Sequence, residues 1–245
     1  MKSNKYQRRF YRDWIKNKDL HLERVIIKET DLQILTDKPI DKELVKDKIV
    51  VYRREIENYI SKDNRFLTTL KPIEVELNSP SIVREMANAA KLAHVGPMAT
   101  VAGAIAQFLG QDLLKIGYKD VIIENGGDIF LKTVKPCVIG IYAGRLKLWN
   151  NLGLKIKAKD TPLGVRTSSA TIGHSLSFGT ADSVTILSRN ASLADAVATA
   201  TCNQIKSKKD LSPALNFARS IKGICGAIII LKDSLISWGR LELIR

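Results

Sequence analysis

The sequence predicts an α+β fold of mixed, largely antiparallel sheet with packed helices. Three observations carry that expectation. Short apolar runs of strand length recur along the 245 residues. Helical patterns come in blocks instead of alternating strictly with strands, which argues against a parallel βαβ sheet. Two strand-like runs, "DVIIEN" and "DIFLKTV", are separated only by Gly126 and Gly127, a turn signal.

The elements follow in order. "HLERVIIKETDLQIL" alternates and is β-branched enough for one or two strands. "DKELVKDKIVVYRREIENYISKD" fits a long amphipathic helix. "SPSIVREMANAAKLA" places Ser79 at an N-cap and Pro80 at the first helical position. "GPMATVAGAIAQFLGQDLLKIG" reads as a helix of small residues ending near Gly117. After the Gly-Gly turn come strand candidates "CVIGIYA", "LKIKAK", "LGVRTS" and "SVTILS". "SLADAVATATCNQIKS" and "SPALNFARSI" are helices, and "GICGAIIIL", "SLISW" and "LELI" close the chain as strands. No linker divides the chain, so residues 1–245 form one expected domain. "TDLQILTDKPIDKELVKDKI" and "ADSVTILSRNASLADAVATA" both run strand, turn, helix, with Asp31 and Asp182 in matching places. Two pseudo-repeated halves are therefore a second expectation.

Composition narrows the classes. With 45% hydrophobic and 26% charged residues, a core forms without staples. Cys137, Cys202 and Cys225 are far apart and show no C-x-x-C, which reads as reduced thiols in a cytoplasmic protein. No run is apolar and long enough to span a bilayer, so no membrane partner is expected. The net charge is +14, yet lysines interleave with acids, and no nucleic-acid motif is visible. The first sixteen residues are the densest basic stretch, with six Lys or Arg against Asp13. Nucleic acid is thus disfavoured as a partner, and a homodimer stays open.

One region stands apart. Leu163 to Ile205 holds 43 residues and four charges, where the chain's 26% would give about eleven. It is crowded with Ser, Thr, Gly and Ala. Hydroxyls and backbone amides in that density suit a pocket for phosphates or carbonyl-rich rings. Inner strands with serines bonded to neighbouring backbone explain it equally well. Within it, Asp195 and Thr199 are four apart on a helix and share a face. A carboxylate and a hydroxyl are hard oxygen ligands, and Mg²⁺ takes such groups with substrate phosphates and water. The plainer reading is an acid complementing the helix dipole and a threonine bonded to a carbonyl. His174 lies among glycine and serine and can move a proton near neutral pH. Arg166 can pair with a phosphate or stand solvated at a strand end.

"ENGGDI", "TSS", "SVTIL" and "LADAVATA", in this order and spacing, resemble the ApbE family of flavin transferases. A UPF-type cytoplasmic branch of that superfamily shares "RRFYR", "KETDL", "GPMATVAGAIA" and "TSSATIGHSLSFGTADSVT" as well. The resemblance runs from about Arg8 to Asn203. It implies an ApbE-like, T-fold-related fold. It implies a flavin nucleotide or other phosphate-bearing ligand held by Gly126, Gly127, Asp128, Thr167, Ser168 and Ser169. It implies Mg²⁺ on Asp195 and Thr199, with His174 and Asp182 as candidate catalytic groups. The chain departs from the transferases in two places. It has no Lys-Gly-aromatic segment ahead of the Gly-Gly-Asp turn and no His-x-x-Asp-Pro stretch before Ser-Val-Thr. Phosphoryl or nucleotidyl transfer, pyrophosphate hydrolysis, and non-catalytic binding or assembly all remain open at this point.

Overall fold

The computed structural model describes residues 19–141, 147–149, 151–169 and 179–245. The basic first sixteen residues and His174 lie outside the described residues.

Strands β1 (His21–Ile27) and β2 (Thr30–Thr36) form a hairpin that turns at Lys28, φ 51°. Helix α1 (Lys42–Lys62) follows, because Asp41 accepts hydrogen bonds from the amides of Glu43 and Leu44 at its start. A single turn, α2 (Arg65–Thr68), leads to α3 (Ser81–Ala93). Here the expected cap shifts. Pro80 has ψ 146°, an extended backbone, so it flanks the helix instead of opening it, and Ser79 caps nothing. A 3-10 turn, Pro97–Thr100, then enters α4 (Val101–Lys115). Strands β3 (Val121–Asn125), β4 (Asp128–Lys132), β5 (Cys137–Gly140), β6 (Gly153–Ile156), β7 (Leu163–Ser168) and β8 (Ser183–Ser188) come next. Helices α5 (Ala191–Gln204) and α6 (Leu211–Ser220) precede β9 (Ile224–Leu231), β10 (Ser234–Gly239) and β11 (Glu242–Ile244).

Eight strands make one sheet in the order β1-β2-β3-β4-β7-β8-β9-β10, with every neighbour antiparallel. A second sheet, β11-β6-β5, is also antiparallel. Side chains alternate across a strand, so each inner strand feeds two cores. Ile123 and Phe130 join α1, α3 and α4 on one face. Val184, Ile186 and Ile229 join α5 and α6 on the same side. Ile122, Leu131, Ile228 and Ile230 meet Ile139, Leu154 and Ile156 of the small sheet on the other. The layers are therefore helices, large sheet, small sheet. Being covered on both faces explains why "DVIIEN" and "AIIIL" read as apolar runs. Among the described residues, no single helix is long and apolar enough to cross a membrane.

One packing detail places the site. A Cβ on Gly103 would sit 2.4 Å from the carbonyl oxygen of Ala191 and 3.1 Å from Asp195 Cβ. Only glycine lets the first turn of α4 press onto α5 there.

Candidate functional site

The Gly-Gly turn joins β3 to β4 with Asn125 directly opposite Asp128. Gly126 has φ +64° and Gly127 φ +96°. A two-residue hairpin whose central residues both have positive φ is built most readily from glycine. The two glycines differ in what surrounds them. A Cβ on Gly126 would meet nothing within 4 Å, so that side is open. A Cβ on Gly127 would lie 3.2 Å from the carbonyl oxygen of Thr167 and 3.4 Å from Arg166 Nη1. The close approach at Gly127 is thus to the protein's own β7. The Gly127 amide also donates to Glu124 Oε1 at 2.8 Å, and Glu124 is fully buried.

Asp128 stands opposite Arg166 in the β4–β7 register. Arg166 Nη1 donates to Asp128 Oδ2 and, at 2.9 Å, to the carbonyl of Gly126. On the helix side, Arg166 Nε is 3.6 Å from Asp195 Oδ1. Asp195 Oδ2 accepts from the Gly103 amide at 3.2 Å. The Arg166 side chain is 5% exposed, against 1% for Asp128 and 7% for Asp195. One guanidinium therefore sits between two buried carboxyls.

That environment sets the protonation. Burial pushes the Asp128 carboxyl well above the usual carboxylate range; Arg166 pulls it down, while Asp195 and Glu124 push it further up. Burial also raises Asp195, against Arg166 and the Gly103 amide, which lower it. Burial thus favours the protonated form of both acids, and the neighbouring Asp195 carboxyl adds to that tendency at Asp128. As carboxylate, Asp128 would leave its buried Oδ1 without a donor, a costly state that protonation relieves.

Thr167 joins the same group: its amide donates to the Gly127 carbonyl at 3.1 Å, and its hydroxyl bonds to that of Thr185 at 3.0 Å. Ser168 is buried and pairs with Val184 in the β7–β8 ladder. Ser169 is half-buried just beyond β7. Thr199 lies one turn after Asp195 on α5 and is half-buried. Asp182 is placed differently. It accepts a hydrogen bond from the Lys232 amide in the β9–β10 turn, and its own amide bonds the carbonyl of Ile230. The turn it anchors gives it a structural task away from the acid pair.

Two residues were harder to read. Glu124 resembles the polar end of a strand, yet it is buried beside the turn. Arg166 pairs with Asp128 inside the protein and is 5% exposed, so it is not a solvated arginine at a strand end. The usable signal was a charge inside an apolar run: "VIIEN" and "LGVRTS" each carry one.

Next to this cluster lies a mostly apolar cleft of about 420 Å³. Val101, Ala102 and Ile105 of α4 line it with Met98, Ile56 and Asn125. Asn125 Nδ2 donates to the Ala102 carbonyl at 3.1 Å, tying the cleft floor to the residues just before Gly126 and Gly103. At its rim, Arg53 is engaged by Glu29 at 2.5 Å and Glu57 at 3.1 Å. A second cleft, about 850 Å³, lies at the opposite end of the sheet near Leu163 and Gly239, and none of the sequence-predicted residues lines it.

Comparison with known proteins agrees with this architecture. A family model described as AbpE bacteria matches residues 12–234. The UPF0280 protein MJ1526 of Methanocaldococcus jannaschii is 42% identical over 228 residues, covering 91% of this chain and 92% of the relative. A UPF0280 protein of Methanocella arvoryzae is 41% identical, covering 88% and 87%. Among solved structures, Pseudomonas stutzeri flavinyl transferase ApbE in its apo form superposes with TM-score 0.61 at 15% identity, covering 89% of this chain and 93% of that one. Flavin transferase ApbE from Vibrio cholerae superposes with TM-score 0.58 at 12% identity, covering 89% and 97%. The sequence relatives fix the family and the solved structures share its fold: the chain belongs to the AbpE bacteria family, alongside the UPF0280 proteins.

Proposed function

We propose that this chain binds a flavin nucleotide, or a small phosphate-bearing ligand of similar shape, in the cleft beside the Gly126–Gly127 turn. The observation that carries this reading is the cleft itself. Its volume of about 420 Å³ falls in the range of ligand pockets, roughly 300–1,000 Å³. Its apolar walls suit a flat ring system, and Asn125 supplies a polar edge. Gly126 leaves the adjoining surface open for the remainder of a ligand. The structural neighbours are flavin transferases, which favours a flavin over other ring ligands.

The residues aligned with a metal site do not fit a metal as they stand. Asp195 Oδ2 is bonded to the Gly103 amide, and Oδ1 faces the Arg166 guanidinium. Within the described residues, the buried carboxyls of Asp128, Asp195 and Glu124 are groups that can hold a proton at the site. The closed ion pair beneath the turn favours binding without group transfer as the second reading. The two hairpin–helix–hairpin sets, β1 to β4 and β7 to β10, support the reading of two pseudo-repeated halves.

Flavin fluorescence tests the proposal. Titrating the protein into FMN and FAD should quench emission with saturation, and Val101→Trp, which fills the cleft, should weaken that binding tenfold or more. Absence of saturable binding by either flavin, or unchanged affinity in a folded Val101→Trp protein, would refute it.

A further inference from the structure

We propose that the Arg166 guanidinium is the resident cation of the Asp128–Asp195 pair and stands where a divalent metal would otherwise bind.

Arg166 reaches both acids at once, through Nη1 to Asp128 and Nε toward Asp195 at 3.6 Å. Several features hold it there. The antiparallel register sets Arg166 directly across from Asp128. The Gly126 carbonyl accepts from the same Nη1 at 2.9 Å. Gly127 leaves room beside it, since any Cβ there would crowd Nη1 at 3.4 Å. The guanidinium cannot withdraw without leaving two buried acids with no cation beside them.

A divalent ion at this place meets three obstacles. Binding at Asp195 Oδ1 would bring it beside a fixed positive charge in a buried site, where repulsion is weakly screened. Mg²⁺ requires near-ideal octahedral geometry, and Asp195 Oδ2 is already committed to the first turn of α4. Part of the charge that a metal would neutralise is also already offset. The Arg166 guanidinium already places one fixed positive charge between the two acids. Thr199, half-buried one turn away, supplies a neutral hydroxyl that alone holds no ion. An arginine is permanently charged and rigid, so it gives a cation that does not depend on metal supply or exchange.

Mn²⁺ alone is the probe, read by electron paramagnetic resonance of the full-length protein. The native chain should bind no more Mn²⁺ than its Asp195→Asn variant. Arg166→Gln should open the site and gain one Mn²⁺ at least tenfold tighter than native. That gain should vanish in Arg166→Gln with Asp195→Asn. Stoichiometric Mn²⁺ binding by the native chain, abolished by Asp195→Asn, overturns the proposal. A folded Arg166→Gln protein that gains no Mn²⁺ overturns it too. If Arg166→Gln does not fold, the native chain against Asp195→Asn decides the matter. Flavin plays no part in this measurement, so its result is separate from that of the flavin titration.

Discussion

Among the described residues, two arginine–aspartate pairs bridge neighbouring strands of the same large sheet, and they differ in exposure and in their neighbours. Arg24 and Asp31 join β1 to β2 at the sheet edge, bidentate at 2.9 and 2.8 Å. Their side chains are 46% and 10% exposed. Arg166 and Asp128 join β7 to β4 in the sheet centre, at 5% and 1%. The edge pair has the better fork geometry, yet water competes for its arginine. The central pair has no competing solvent and a second acid beside it. Position, more than hydrogen-bond geometry, decides what each pair is worth.

The sharpest break in that comparison is Arg166→Met. Removing one partner of a buried pair leaves an uncompensated group, at a cost of about 3–5 kcal/mol. Urea unfolding should show that loss, with the midpoint falling and the slope unchanged. A loss below about 1 kcal/mol, the level of a surface pair, would mean that water reaches Arg166.

The same contrast explains what the sequence revealed. Strands and helices were legible because periodicity and caps are local; Asp41 before α1 and the glycines after β3 announce themselves. Pro80 misled by one residue because its extended ψ is invisible in the chain. The Gly-Gly-Asp turn was legible as special, and the structure adds a neighbour that the sequence could not show: Gly127 lies against Thr167 and Arg166 of β7. Asp128 and Arg166 lie 38 positions apart in sequence, and only the antiparallel register β4–β7 unites them. Asp31 and Asp182 looked equivalent in the two halves. In the structure one pairs with Arg24 and the other anchors the Lys232 amide. A shared sequence position fixes an element, and the partner across the sheet fixes the job.

A second prediction sharpens the comparison through pH. Asp128 holds its proton above the usual value of 3.8 because burial and the Asp195 carboxylate oppose its charge. Above that value the unfolded chain has released this proton while the folded chain keeps it. Stability therefore falls as pH rises, by up to about 1.4 kcal/mol per unit for one proton, until the folded value is passed. Asp128→Asn imitates the neutral acid and should flatten this slope as pH rises above the usual carboxyl value of 3.8. Urea unfolding across that range checks it. An identical slope in native and variant proteins would assign the retained proton elsewhere.

The smallest expected effect lies at the edge pair, and salt is the means to see it. Arg24→Ala removes a contact that water already shares, so the expected loss is about 0.2–1 kcal/mol. The screening length falls from about 10 Å at 0.1 M to 3 Å at 1 M salt, and exposed charges feel that change. The difference between native and Arg24→Ala proteins should therefore shrink toward zero in about 1 M NaCl. The difference between native and Arg166→Met should survive, because ions do not enter the buried cluster. Thermal unfolding of the three proteins at both salt levels separates the two terms. If both differences shrink alike, the central pair is wet and the contrast collapses. If neither shrinks, Arg24 acts through the packing of its stem along β1, and its charge contributes little.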